Sequence, residues 1–525
     1  MVEGNKRVSV LKYFKADSIV ANVTRKIPKY SEDEDVKLYY EYMKFNQISG
    51  LNNIEFSKIG MVDKLLALMG STAIWDADTR MEFNSLVNHF TKAYEFRGGR
   101  KLPIRVGDAL TAFINVYGYN TVLGMSDDEL SLNIVKCWNE FVMLTEKQSV
   151  GLVMDPLAAE ERKGRNIFSY FMPSSAKKFT VAFLYPKSPD TSDWIYAHDL
   201  GRNYLEETFP DQMKTICVND VTEERTEQVL NDVIRQGADI IFEVAPQMMK
   251  DSLKVAVDHP DVKILNCSLN TSHKYIRTYY ARMYEAKFLS GMIAGALAEN
   301  DRIAYIADYP IYGMIANINA FALGASFTNP RARIYLAWST SENYDRERFL
   351  KDNNIQVVSD QDMITPRDPG RQFGLYECSE DGRKLNLVMP LWNWGVFYEK
   401  MIQSILAGSY QSEENSEGRA LNYWWGMSAG VIDLICSKNV PTGVKRLVDH
   451  LKSDIKKGDI VPFYGEIRAQ DGTLKNKKDK AMKPEAIMEM DWLTDNVIGE
   501  IPTMGELRAE ARPVVQIKGV EEKMK

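Results

Sequence analysis

The stretch Phe179-Thr-Val-Ala-Phe-Leu-Tyr-Pro186 decides the fold class, together with the helix-like stretch that follows it. The first is an apolar run that stops at a proline, which is typical of a strand buried in a parallel sheet. The second, from Ser192 to Glu206, begins with capping residues and then repeats apolar side chains at helical spacing. Strand, loop and helix together open a βαβ unit. Such sheets bind ligands beyond the carboxyl ends of their strands, so the loop 187–193 and the adjacent Trp194 are predicted to contact one.

The alternation of strands and helices continues to about residue 502. Strand-like runs such as Asp239–Ala245 are followed by helix-like runs such as Tyr284–Glu299. This pattern predicts an α/β domain over 176–502, in which two lobes with parallel sheets are covered by helices. The chain is expected to change lobes near 300 and to cross the hinge near 300, 385–395 and 425–435. A cleft between two such lobes is a common small-molecule site.

The first part of the chain, residues 1–172, has a helical pattern instead. Ser31 with Glu34, and Ser126 with Glu129, have the spacing of capping boxes ahead of apolar runs. An all-α domain is therefore predicted, and its role cannot be read from the sequence. The last residues, 503–525, are expected to form a charged tail.

Composition excludes several classes of function. The 525 residues carry a net charge of −7, which gives no reason to expect a nucleic acid partner. The five cysteines are scattered and lack a CxxC pair, so neither a metal site nor a disulfide framework is predicted. The longest apolar run, Leu289–Ala298, is far below the roughly 18 residues that span a bilayer. Its Gly291 and Gly295 are expected to allow close helix packing in a soluble core.

Motifs that would carry catalysis are weak. Gly426-Met-Ser-Ala-Gly430 has the GxSxG pattern, but Tyr423-Trp-Trp425 before it makes a poor strand and only His450 follows as a base. Small residues that permit close packing are favoured over a nucleophilic Ser428. The pair His198-Asp199 is expected to be a helix-surface pair. Without a phosphate loop or a GxGxxG motif, no cofactor is predicted.

Aromatic residues give a stronger indication of binding. Trp194, Tyr309 and Trp392 fall at the ends of predicted strands or the starts of helices, in three loops that can converge. Flat rings in such places stack on flat heterocycles, with about 1–3 kcal/mol per base in nucleic-acid sites. The alternative for each ring is a place in the hydrophobic core.

Residues 178–502 contain a series of distinctive motifs. They are Asp193-Trp-Ile-Tyr-Ala-His-Asp-Leu-Gly-Arg202, Gln236-Gly-Ala-Asp-Ile-Ile-Phe242, Asp258-His-Pro-Asp-Val-Lys263, Ala281-Arg-Met-Tyr-Glu285, Ile318-Asn-Ala-Phe321, Trp392-Asn-Trp-Gly395, Pro462-Phe-Tyr-Gly465 and Met490-Asp-Trp-Leu493. In their order, over about three fifths of the chain, they resemble the basic membrane protein (Bmp) family, the purine-nucleoside-binding lipoproteins of ABC transporters. The resemblance implies a type I periplasmic-binding fold with a ligand clamped between two α/β lobes.

The resemblance also implies roles for individual residues. Trp194 stands where the family stacks an aromatic ring on the base, and Tyr309 where a second ring comes from the other lobe. Glu243 ends the third strand, at the family's cleft, while Tyr376 and Trp392 replace an acid and a lysine that hold the ribose. These two departures favour a bare nucleobase, or another flat ligand, over a nucleoside. Asp193, Asp308 and Glu243 are the candidates for hydrogen bonds to base edges.

Three functional interpretations follow. The first is an ABC-type solute-binding protein for a purine nucleobase or nucleoside, with a transporter permease as partner. The second is a cytosolic purine sensor that uses the same clamp and reaches a protein partner through residues 1–172. The third, a hydrolase with Ser428 as its nucleophile, is the least favoured. Because no signal peptide or lipidated cysteine is seen at Met1–Lys12, a cytoplasmic location is expected, with the cell surface as the alternative.

Overall fold

The computed structural model divides into two compact units, residues 1–114 and 115–525. The structure describes residues 27–71, 73–145, 150–156, 179–269, 273–363, 372–379, 382–406 and 420–520, together with 8–10, 13–14, 370 and 410. The division falls earlier than the predicted boundary at 172. The reason is that residues 119–145 and 150–153 have partners in the second unit: Lys136 pairs with Asp258 at 2.5 Å, and Glu140 with His273 at 3.0 Å.

The first unit is helical in its described residues, as its sequence pattern indicates. Its helices are α1 (Glu34–Ser49), α2 (Met61–Leu68), α3 (Ala77–Phe96) and α4 (Val106–Tyr117), the last of which runs just past the division. Phe45, Phe83 and Phe90 are fully buried between them. The capping box predicted at Ser31 and Glu34 is wrong, since α1 begins at Glu34 and its cap is Asp33.

Three short helices open the second unit, and the capping box predicted at Ser126 and Glu129 is confirmed there by both of its hydrogen bonds. The helices are α5 (Tyr119–Leu123), α6 (Asp127–Lys136) and α7 (Trp138–Met143). The strand β1 (Val150–Val153) follows and joins the sheet of the first lobe. These elements therefore extend the first lobe rather than a separate N-terminal domain.

Lobe 1 is a parallel sheet of seven strands, in the order β1-β12-β6-β5-β4-β2-β3. Its strands are β1, β2 (Phe179–Leu184), β3 (Met213–Val218), β4 (Ile240–Glu243), β5 (Lys263–Cys267), β6 (Ile276–Ala281) and β12 (Ala420–Trp425). The helices that follow β2, β3 and β4 are α8 (Asp193–Thr208), α9 (Thr226–Arg235) and α10 (Met249–Asp258). The opening strand and helix are thus where the sequence predicts them.

Lobe 2 is a mixed sheet of seven strands, in the order β13-β11-β10-β9-β7-β8-β16. Its strands are β7 (Arg302–Ala307), β8 (Arg333–Trp338), β9 (Val357–Ser359), β10 (Leu375–Cys378), β11 (Lys384–Trp392), β13 (Ile432–Cys436) and β16 (Val497–Ile498). Strand β10 pairs antiparallel with β9 and β11, and β11 pairs antiparallel with β13. Strand β7 pairs parallel with β8 and β9. A parallel sheet is expected for this lobe, but only half of its strand pairs are parallel.

The remaining described elements cover the sheets or carry the chain between them. They are α11 (Tyr284–Leu297), α12 (Met314–Thr328), α13 (Arg346–Asp352), α14 (Trp394–Leu406), α15 (Thr442–Lys457), the hairpin β14 (Ile467–Arg468) with β15 (Leu474–Asn476), α16 (Pro484–Met488) and α17 (Arg512–Lys518). In the described residues the chain passes between the sheets after α11, after β11 and after β12. These connections bring the carboxyl ends of both sets of strands to one cleft.

The close helix packing expected at Gly291 and Gly295 is confirmed. Helix α11 lies against α12 so closely that a Cβ on Gly291 would stand 2.0 Å from the carbonyl oxygen of Phe321. Both helices are almost wholly buried. In the part of the chain that the structure describes, no helix has the length and apolar character needed to span a bilayer.

Two local expectations are wrong. Tyr423-Trp-Trp425 lies within β12, where all three rings are buried and the backbone pairs with β6. Residues 503–520 are ordered rather than a charged tail, with a turn at Met504–Glu506 and the helix α17. The apolar side chains of Leu507, Ala511 and Val515 form a buried cluster with Tyr309 and Ile311, and this cluster anchors the segment.

Candidate functional site

A cavity of about 680 Å³ lies between the two lobes, at the carboxyl ends of their strands. Its size falls within the range of small-molecule sites. Lobe 1 contributes the loop after β2 and the first turn of α8, as the sequence predicts. Among the residues that line it are Lys187, Asp193, Trp194, Tyr280, Lys287, Asp308, Tyr309, Asn317, Ser339, Arg346, Asp360, Asp362, Trp392 and Glu510.

One side of the cavity, which we call the aromatic face, consists of Trp194, Tyr280 and Trp392. Trp194 stacks on Tyr280, with ring centroids 6.0 Å apart, and meets Trp392 edge-on at 5.3 Å. Its indole Nε1 donates a hydrogen bond to the carbonyl oxygen of Val244 at 2.9 Å. All three rings are half-buried, so each keeps surface available to a ligand.

The aromatic face is supported by a second layer of rings. Trp392 stacks on the buried Trp394 at 5.4 Å, and Trp394 stacks on the imidazole of His198 at 4.3 Å. His198 is fully buried and bonded to the hydroxyl of Tyr398, and its burial lowers the pKa well below the usual value, so the ring is neutral. The surface pair predicted for His198 and Asp199 is therefore wrong. Asp199 instead pairs with Arg202 at 2.7 Å.

Two of the predicted carboxylates, Asp193 and Asp308, line the cavity from opposite lobes. Each accepts a hydrogen bond from the next backbone N–H, that of Trp194 or Tyr309, at 2.8 Å. The Asp308 carboxyl opens onto the cavity, but the surrounding walls remove bulk water. This desolvation, with the charges of Asp193 and Asp362, raises the pKa of Asp308 to about 6. Desolvation also raises the pKa of Asp193.

A second part of the lining, which we call the charged face, consists of Lys287, Arg346, Asp360 and Asp362. Lys287 Nζ lies 2.5 Å from Asp362, and Arg346 lies 2.7 Å from Asp360. Burial raises the pKa of both Asp360 and Asp362, while their cationic partners oppose that rise. Sequence reasoning missed all four residues. The available signal was Lys287, a lysine in the largely apolar helix α11, where a buried charge needs a partner.

Glu243 and Tyr376 are placed outside the cavity lining. Glu243 is fully buried under α10, where Ser252 and the Nδ2 of Asn266 donate to its carboxylate, the latter at 2.7 Å. Burial raises its pKa to about 7. Tyr376 is fully buried on the far side of β10, and its hydroxyl donates to Asp360 at 3.2 Å. Neither side chain is positioned to meet a ligand directly.

Tyr309 lines the cavity, but its ring is also in contact with the C-terminal segment. It packs against the cluster of Leu507, Ala511 and Val515, and burial, together with the charges of Asp308, Asp193 and Glu510, raises its pKa. Glu510, Pro513 and Val514 line the cavity themselves. The C-terminal segment was not among the predicted site residues, and it supplies a wall of the site.

Ser428 lies apart from the cavity lining, at the passage between β12 and β13. It donates to Asp155 and accepts from the guanidinium of Arg282 at 3.1 Å. His450 lies on α15, exposed, with Asp454 as its partner at 3.6 Å. The described residues contain no group of His, Cys, Asp and Glu side chains that could hold a metal ion.

Comparison with known proteins supports the relationship that the motifs indicate. Residues 178–366 match the model of the Bmp family, described as ABC transporter substrate-binding protein PnrA-like. A purine-binding protein of Brucella abortus is 27% identical over 339 residues, which cover 62% of this chain and 95% of that protein. A putative ABC transporter glucose-binding protein of Haloferax volcanii is 24% identical over 344 residues, or 63% and 83% of the two chains. The predicted resemblance is thus confirmed.

Among solved structures, an ABC transporter solute-binding protein from Conexibacter woesei is similar, with a TM-score of 0.42 and 14% identity. The aligned region covers 54% of this chain and 98% of the Conexibacter woesei protein. The two α/β sheets, with the cleft at the ends of their strands, are the arrangement expected of a type I periplasmic-binding fold.

Proposed function

We propose that the two-lobed part of this Bmp-type chain binds a purine nucleobase or nucleoside and performs no catalysis on it. The observation that carries the proposal is a single cavity with the rings of Trp194 and Trp392 on one side and the carboxylates of Asp193 and Asp308 beside them. The purine-binding relative from Brucella abortus supports the choice of ligand. In a transporter role, the bound purine is delivered to an ABC permease.

The chemistry of a purine suits this arrangement. Its flat ring stacks on an aromatic side chain, which is worth about 1–3 kcal/mol per base in nucleic-acid sites. Its N–H groups are donors, and the ionised Asp193 and Asp308 offer only acceptors. Hydrogen bonds to an ionised acceptor are roughly twice as strong as neutral ones, so the two carboxylates are the candidates for fixing the orientation of the base.

The choice between base and nucleoside depends on the charged face. The argument for a bare base was that Tyr376 and Trp392 replace the acid and the lysine of a ribose site. Lys287 and Asp362, however, bring a lysine and an acid into the same cavity from other positions in the chain. Sugar hydroxyls can donate to Asp362 and accept from Lys287, so both forms of ligand belong to the proposal.

A sensing role is the second candidate, and one set of contacts favours it. At the β12–β13 passage, buried Arg282 donates to the backbone carbonyl of Met154 and lies 3.6 Å from Asp155. Its Nε also pairs with Glu285 at 2.7 Å. A change in lobe angle would therefore reach Met154 and Asp155, which directly follow strand β1. Ligand-dependent hydrogen exchange at residues 150–155 would support sensing, and unchanged exchange there would remove this basis for it.

The test of the proposed function is a thermal-shift screen of the full chain. The ligands are adenine, guanine, hypoxanthine, xanthine and their nucleosides, with D-glucose as the alternative that the Haloferax volcanii relative provides. A ligand at about 100 times its Kd should stabilise by roughly 2.7 kcal/mol. A shift with purines supports the proposal, and the pattern across bases and nucleosides shows whether the charged face holds a ribose. A shift with glucose alone, or with none of these, would contradict it.

A further inference from the structure

The C-terminal segment, defined as residues 503–520, is attached to lobe 2 by its backbone. The N–H of Arg508 donates a hydrogen bond to the carbonyl oxygen of Thr340 at 2.9 Å. The N–H of Glu342 donates one to the carbonyl oxygen of Glu506, also at 2.9 Å. At the other end of the segment, the N–H of Val520 donates to the carbonyl oxygen of Pro310 at 3.3 Å. The buried cluster around Leu507 packs between these two attachments.

The same segment reaches lobe 1. Helix α17 packs against the turn Pro246–Met248, which follows β4 in the first lobe. Pro246 and Gln247 of that turn line the cavity, and so do Glu510, Pro513 and Val514 of the segment. One continuous piece of chain therefore touches both lobes and the space between them.

We propose that the C-terminal segment is a movable third wall of the binding site, which must swing away from lobe 1 to admit a ligand and then retains it. The asymmetry of its attachments supports this direction of movement. Backbone hydrogen bonds and the buried cluster hold it to lobe 2, whereas α17 lies close to the turn in lobe 1 with no hydrogen bond or ion pair to it among the described side chains. The identity of the ligand rests on the proposed function, but the movement does not.

Glu510 gives the third wall a chemical role. Glu510 is an acidic residue of the cavity lining, together with Asp193 and Asp308 from the two lobes. The part of the cavity near Tyr309 therefore carries several acceptors, and it favours ligands with N–H donors over ligands with phosphate groups. A nucleoside should bind at least tenfold more tightly than its monophosphate, and Glu510→Gln should reduce that preference.

The movement is tested by labelling, without any purine. Ser339 lines the cavity beside Thr340, so Ser339→Cys places a thiol behind the third wall. The rate at which a bulky maleimide labels this cysteine is followed by mass spectrometry of the peptide, in the full chain and in two weakened versions of the wall. Val514→Ala should speed labelling about threefold, because Val514 lines the cavity together with Gln247 of the lobe 1 turn and its loss weakens that contact. Leu507→Ala should speed labelling about tenfold, because it loosens the cluster that attaches the wall to lobe 2.

Leu230→Ala is the matched control, because Leu230 is as deeply buried as Leu507 but lies on α9, away from the cavity. Equal labelling rates in the wall variants and the control would overturn the movable wall. A second readout is the dissociation rate of a bound purine, which should rise at least tenfold in Leu507→Ala and stay unchanged in Leu230→Ala. If the full chain binds no purine, the proposed function fails while the labelling rates still decide the movement.

Discussion

The aromatic face and the charged face of the cavity are built in opposite ways. Trp194, Tyr280 and Trp392 touch one another and are backed by further rings, so the aromatic face is a continuous stack. The charged face consists of two neighbouring ion pairs, Lys287 of the connecting helix α11 with Asp362 and Arg346 of lobe 2 with Asp360. Rings that pack on rings retain their shape if one is trimmed, whereas an ion pair that loses one member leaves a buried charge.

The difference assigns distinct roles to the two faces. The two-lobed part can lose one ring of the stack and still fold, so these rings can contact a ligand without being required for stability. The buried pair of Lys287 and Asp362 must remain complete, so it serves stability before it serves a ligand. The experiments that follow separate stability from affinity on each face.

The largest effect is expected for Lys287→Met. The Lys287 side chain is 3% exposed and that of Asp362 14%, so the substitution leaves a carboxylate in a site of low polarity. Breaking such a pair by removing one partner costs about 3–5 kcal/mol. The free energy of unfolding of the two-lobed part, measured with urea, should fall by roughly 3 kcal/mol.

Lys254→Met provides the control for this prediction. Lys254 pairs with Glu227 at 2.5 Å, but both side chains are about a third or more exposed. Its loss should cost less than about 1 kcal/mol. If the two lysine variants were equally stable, the contrast between the two faces would be lost. Adding Asp362→Leu to Lys287→Met should recover most of the stability, because no unpaired charge then remains.

Trp194→Ala tests the aromatic face. Its removal should weaken purine binding at least tenfold, or about 1.4 kcal/mol, because a stacking surface is lost. The two-lobed part should still fold, since Tyr280 and Trp392 remain packed together at 5.6 Å. Isothermal titration measures the affinity and thermal unfolding the stability. Trp492→Ala is the control, since Trp492 is also half-buried but lies away from the cavity lining; an equal loss of affinity there would remove Trp194 from the site.

The pH dependence of affinity tests the carboxylates between the two faces. The pKa of Asp308 is raised to about 6, so its carboxyl is mostly ionised at pH 7 and mostly protonated at pH 5. If the ionised form accepts a hydrogen bond from the base, affinity should fall about tenfold over this range. The stability of the free protein should change in the opposite direction, because protonation removes a desolvated charge.

Asp308→Asn separates these two effects. In this variant the affinity for a purine that stays neutral over the same range should depend much less on pH. The free protein should also lose part of its gain in stability at low pH. An affinity that falls equally in both proteins would assign the titration to another group, of which Asp193 is the nearest candidate because its charge acts on Asp308.

Two members of the aromatic face could be predicted from the sequence because they lie close to the ends of recognisable strands, whereas Tyr280, inside β6, was not among the predicted site residues. Trp194 stands one loop after β2, and Trp392 ends β11. The charged face could not be predicted, since Lys287 and Asp362 are 75 positions apart and nothing local pairs them. Glu243 was placed in the cleft because it ends a strand, but strand side chains alternate between faces, and this one turns under α10.

The elements of the fold also separate into those that local sequence patterns predicted and those that they did not. Alternating strands and helices predicted both lobes, because each strand is a compact apolar run. Strand β1 was missed since its partner, β12, lies about 270 residues later, and a pairing of that range leaves no local pattern. The C-terminal segment did leave a signal. Leu507, Ala511 and Val515 recur at a spacing of four, and apolar residues repeated in this way indicate a docked segment rather than a tail. In the structure only Val515 of the three lies in a helix, α17.

The smallest effect is expected for Tyr376→Phe, which tests the residue that sequence reasoning placed in the ribose site. The substitution removes the hydrogen bond from the hydroxyl to Asp360, at a cost of about 1 kcal/mol in stability. Asp360 keeps its ion pair with Arg346 and the backbone N–H of Gln361, so the charged face should hold its geometry. Affinity for both bases and nucleosides should therefore change less than about twofold. A loss of nucleoside affinity alone would mean that Tyr376 positions Asp360 for a ribose, and the charged face would then serve binding as directly as the aromatic one.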